Sequence, residues 1–105
     1  MAGQSHQSKV DRAAARAKAT PSSPTDAKRA RWARVGTCLV KAPVPQHEDN
    51  MEIGSCGTKG SYTVLARHDV DRDEALPDCS NADAVYTEQS KDDLFPQFNL
   101  CLKKN

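Results

Sequence analysis

Ser61-Tyr62-Thr63-Val64-Leu65-Ala66-Arg67-His68 is the stretch on which the fold turns. Tyr62, Val64 and Ala66 alternate with Thr63, Leu65 and Arg67, and a period of two over eight residues predicts a half-buried strand with the first set on one face and the second on the other. Residues 97–103 repeat the pattern, with Phe98, Leu100 and Leu102 on one face. Upstream, residues 35–41 are strand-like and are predicted to stop before Ala42-Pro43-Val44-Pro45, because proline offers no ladder donor. Residues 51–56 alternate Met51, Ile53 and Ser55 against Glu52, Gly54 and Cys56, and Gly57-Thr58-Lys59-Gly60 reads as a hairpin connection. Residues 83–88, around Val85 and Tyr86, make a further strand. Residues 71–76 read as one helical turn, with Asp71 as cap and Glu74 in the capping-box position. Strands with Pro and Gly turns and one short helical element predict a small, mostly antiparallel β or α+β domain.

The rest of the chain is of another kind. Leu, Ile, Val and Phe supply 16 of the 105 residues, and all but one of them lie at or after Val35. The expected organisation is therefore a tail over 1–34 and a small domain over 35–105, the latter near the lower limit of what an apolar core alone can hold together. No run of 18 apolar residues is present, which excludes a membrane-spanning helix in these residues. The formal charge of +1 hides an asymmetry: the tail has eight basic and two acidic residues, net +6, while 35–105 has seven and twelve, net −5.

Within the tail, Ser8 can cap a helix over the Ala-rich residues that follow, but no apolar stripe supports it, and a lone helix of about a dozen residues is marginal in water. This piece is expected to be mostly disordered or frayed. Thr20-Pro21-Ser22-Ser23-Pro24 breaks it, and Thr25 caps a second short expected helix over 26–34, stopped at Gly36, with Trp32 as anchor on the domain. Residues 1–10 lack the apolar stretch of an export signal, which fits either an intracellular protein or part of a longer exported one.

Cys38, Cys56, Cys79 and Cys101 are spaced by 18, 23 and 22 residues. A zinc site normally includes two ligands two to four residues apart so that one turn delivers both, and no such pair exists here. Neither a redox C-x-x-C pair nor the electropositive setting of a catalytic cysteine is present. An even number of widely spread cysteines in a thin-cored domain predicts two disulfides. Three pairings are open; the nested one, Cys56 with Cys79 and Cys38 with Cys101, is expected because Cys38 and Cys101 lie in the first and last strands.

V-G-T-C-L-V at 35–40, I-G-S-C-G at 53–57, Y-T-V-L-A-R at 62–67, Cys79, A-V-Y-T-E at 84–88 and N-L-C-L at 99–102 together resemble the C-terminal domains of small actinobacterial exported proteins. These are the lipoprotein-U-like proteins, distantly similar to septum-formation-type domains. Thr37 departs from the family's more usual G-D-C. The resemblance covers about 70 residues and implies a disulfide-stapled envelope domain with no known reaction, so no catalytic residue is carried over.

Asp69-Val70-Asp71-Arg72-Asp73 has the spacing that opens an EF-hand loop, but Glu74 stands where that loop needs glycine and Ser80 where it needs a bidentate glutamate. It reads as a solvated acidic loop. His68 beside Asp69 and His47 beside Glu48 lack a neighbouring nucleophile and read as surface residues. No enzyme activity, metal or cofactor is expected. The expectation is a non-catalytic interaction or structural module of the bacterial cell envelope, extracellular, with another protein or an envelope component as partner and Tyr62 and Tyr86 as candidate binding-surface aromatics. The alternative is an intracellular nucleic-acid-associated protein whose tail contacts phosphates through Lys9, Arg12, Arg16, Lys18, Lys28, Arg29, Arg31 and Arg34.

Overall fold

The computed structural model describes residues 9–46, 49–90 and 94–105. The alternating segments pair into one antiparallel sheet of β1 (Cys38–Gln46), β2 (Asp49–Ile53), β3 (Tyr62–Val70), β4 (Ala84–Gln89) and β5 (Gln97–Lys104), in the order β2-β1-β3-β5-β4. The apolar alternation of β3 and β5 places them at the centre, where they pair from Tyr62 opposite Lys104 to Val70 opposite Gln97. Phe98, Leu100 and Leu102 share one face with Val64 and Leu39, and all five are fully buried.

Several expectations change at this level. β1 runs on through the prolines: its register with β2 shifts between Lys41 and Gln46, so the residues without a donor fall in the irregular stretch. Residues 57–60 do not form a hairpin, because β2 and β3 are not neighbours; both pair with β1 and the connection crosses it. In residues 71–76, the Glu74 N–H donates to the Asp71 carbonyl at 3.0 Å in a turn that does not continue as a helix.

The alternation in β3 is also broken. Val64 lies opposite Leu102, but Ala66 lies opposite Cys101 and Arg67 opposite Leu100, so Leu65 is a bulge residue. One extra residue flips every later side chain to the other face. Arg67 thereby joins Val64 on the core face, and Leu65 is left 41% exposed.

All four cysteines are oxidised, as Cys38–Cys56 and Cys79–Cys101, which corrects the nested pairing. The reason is topological. β1 and β5 flank β3 on opposite sides, so Cys38 and Cys101 are separated by a strand, whereas residue 56 returns past the end of β1. Gly54 makes that return feasible: a Cβ there would stand 2.7 Å from Val40 Cγ2.

Upstream of the sheet, Lys9–Lys18 form one helix, α1, where a frayed segment was expected; alanine favours it locally, and Arg16 and Lys18 in the last turn complement its exposed carbonyls. The single helix expected over 26–34 is instead two 3-10 turns, Asp26–Lys28 and Ala30–Trp32. Arg29 between them is extended and bridges to Glu52, which interrupts the helical hydrogen bonds, and Thr25 makes no side-chain cap. Ala30 and Ala33 have no exposed surface and belong to the core cluster. The packed body therefore begins before Val35.

Candidate functional site

Residues 29–34 lie across the core face of the sheet, and small side chains let them do so closely. Ala30 and Ala33 face inward, while Trp32 meets the edge of Phe95 with ring centroids 5.3 Å apart and donates its Nε1–H to Asp26 Oδ2 at 3.2 Å. The predicted anchoring by Trp32 is seen.

Arg67, moved inward by the bulge, locks this segment down. Its Nη1 donates to the carbonyls of Arg31 and Ala33, both at 2.7 Å, and its Nε and Nη2 pair with the two oxygens of Asp69 at 3.0 Å each. The guanidinium also stacks 4.4 Å from the Phe98 ring centroid. Four of its five N–H donors are thus committed to the fold.

What results is a groove of about 250 Å³ whose lining includes Arg16, Arg31, Arg34, Arg67, Asp69 and Phe95. The cations in it are not equivalent. Asp69 neutralises Arg67; Arg31 lies 5.6 Å over the Phe95 ring with Nη2 at 3.9 Å from Glu88 Oε2. Arg16 donates to the Leu94 carbonyl at 3.3 Å, and Arg34 is exposed. Among the described residues, neither Arg16 nor Arg34 has a carboxylate within ion-pair distance.

Of the eight tail cations singled out from sequence, Arg16, Arg31 and Arg34 converge here. Arg29 turns to Glu88 at 3.8 Å, and Lys18 and Lys28 are exposed elsewhere. Lys9 and Arg12 lie on α1, their side chains outside the described set. Arg67 and Phe95 were missed, since neither a bulge nor the aromatic of a loop is written in a periodicity. Tyr62 and Tyr86 both pack against the core; Tyr86 lies 6.3 Å from the Phe98 ring and its hydroxyl donates to Glu88 Oε1 at 3.0 Å.

The opposite face carries the acidic segment. Gln97 Nε2 donates to the carbonyls of Asp71 at 2.5 Å and Glu74 at 2.6 Å, Asn99 Nδ2 donates to that of Pro77 at 2.7 Å, and Cys79 is bonded to Cys101. Asp71, Asp73 and Glu74 bring carboxylates within 4.8 Å of one another, while Asp69, the first residue of the D-x-D-x-D run, is taken by Arg67 on the other face. His68 is half-buried rather than exposed, with Nδ1 2.8 Å from Asn99 Oδ1. His47 and Glu48 lie outside the described residues. Compared with known proteins, the chain matches no family model, no curated protein and no solved structure.

Proposed function

We propose that this chain is a non-catalytic interaction module of the bacterial cell envelope, built to persist where thiols are oxidised. The observation that carries the reading is the pair of disulfides, each closing a loop of the small sheet. Disulfides form and persist in extracellular and envelope compartments, and small domains there use them in place of a large core. No helix among the described residues is long and apolar enough to cross a membrane. The motifs that resemble the lipoprotein-U-like domains supply the envelope assignment.

The reading with an independent phosphate-binding tail is weaker, because part of that tail is built into the domain. Arg29 and Arg31 approach Glu88, and Ala30 and Ala33 are core residues, so these cations are tied to the domain surface. The test is intact mass after denaturation and alkylation without reductant, on protein taken from its native cell. No added alkyl groups are expected. Four would place the working protein in a reducing compartment and remove the proposal's basis.

A further inference from the structure

We infer that the groove between α1 and residues 31–34 is a binding site for a phosphoryl dianion. Charge and preorganisation both point to this ligand, which goes beyond the envelope-module reading. Among the described residues, four guanidinium groups line the groove against one carboxylate. Asp69 satisfies Arg67 in bidentate fashion, and Glu88 stands beside Arg31. Glu88 is shared between Arg29 and Arg31. Among the described residues Arg16 and Arg34 have no carboxylate within ion-pair distance, so the opening has an excess of positive charge that suits a phosphate monoester, a dianion near neutral pH.

Geometry supports the same ligand. The Arg31 and Ala33 carbonyls, which would repel an anion, are each covered by an Arg67 N–H at 2.7 Å. The backbone that bears Arg34 is held further, its N–H donating to Thr37 Oγ1 at 3.0 Å. A guanidinium takes a planar, two-point contact to phosphate oxygens, and its rigid fork loses less freedom per hydrogen bond than an ammonium does. Arg67 positions the site rather than binding in it, since four of its five donors are used. Phe95 and Trp32 flank the charges and give the floor an apolar edge.

The single tryptophan of the chain lines this groove, so binding is read from its emission. Full-length protein is titrated at fixed ionic strength with inorganic phosphate, glycerol 3-phosphate, acetate and duplex DNA, and amide shifts of residues 31–34 and 94–97 are followed in parallel by NMR. Saturable changes with phosphate and glycerol 3-phosphate are expected, with a dissociation constant on the order of 1 mM or tighter. Arg16→Gln and Arg34→Gln are each expected to weaken binding about tenfold, the loss of one charge-assisted contact. Lys28→Gln, which removes the same charge outside the groove, is expected to leave it unchanged. An equal loss in Lys28→Gln overturns the site in favour of diffuse attraction. An equal response to acetate overturns the dianion assignment, and a response to DNA alone replaces it with a polyanion arm.

Discussion

Residues 29–34 and residues 71–83 lie across opposite faces of the same sheet, and different forces hold them. The first segment is basic and is held by burial: Ala30 and Ala33 have no exposed surface, Trp32 meets Phe95, and Arg67 caps the carbonyls that burial would otherwise leave unsatisfied. The second is acidic, offers little apolar surface, and is held by two buried amides and a covalent bond, through Gln97, Asn99 and Cys101 of β5. β5 serves both, with even-numbered side chains from Phe98 to Leu102 on the apolar side and odd-numbered ones from Gln97 to Cys101 on the polar side. The contrast shows that a thin core does not require equal treatment of both faces. Where apolar area is lacking, directional hydrogen bonds and a disulfide take over.

This contrast can be broken at several points. Phe98→Ala should be the costliest substitution, about 3–5 kcal/mol in urea unfolding, because it opens a cavity beneath Arg67 and Tyr86 together. Next is the disulfide on the polar face: replacing Cys79 and Cys101 by alanine should cost about 3 kcal/mol in the chain-entropy description. Hydrogen exchange should then quicken over 71–83 well before 29–34. Equal loss of protection on both faces would show that the two segments are one cooperative unit and not separately fastened.

A smaller effect is expected from Asn99→Ala, about 1–3 kcal/mol, since the Pro77 carbonyl and His68 Nδ1 each lose a partner. Smallest of all is removal of residues 1–20. It should shift stability by no more than about 1 kcal/mol, the scale of a hydrogen bond such as that from Arg16 to Leu94. Deleting 1–34 should instead prevent cooperative folding, because it takes Ala30, Trp32 and Ala33 with it. A stable, cooperatively melting 35–105 fragment would return those residues to the tail.

How much of this was written in the chain depends on the range over which each signal acts. Alternation at 62–68 and 97–103 and the four spaced cysteines determined the existence of the strands, their antiparallel sheet and the oxidised thiols, because these follow from local geometry and redox chemistry. The charge split between tail and domain was likewise plain. The disulfide partners were not, for they depend on strand order, and only the insertion of β3 between β1 and β5 parts Cys38 from Cys101. The groove depended on the tertiary structure still more. A single bulge at Leu65 turns Arg67 from the outer face to the inner one, and only then can its guanidinium reach the carbonyls of Arg31 and Ala33, more than 30 residues upstream. A pattern of period two has no term for one extra residue, so the fold alone could make that decision.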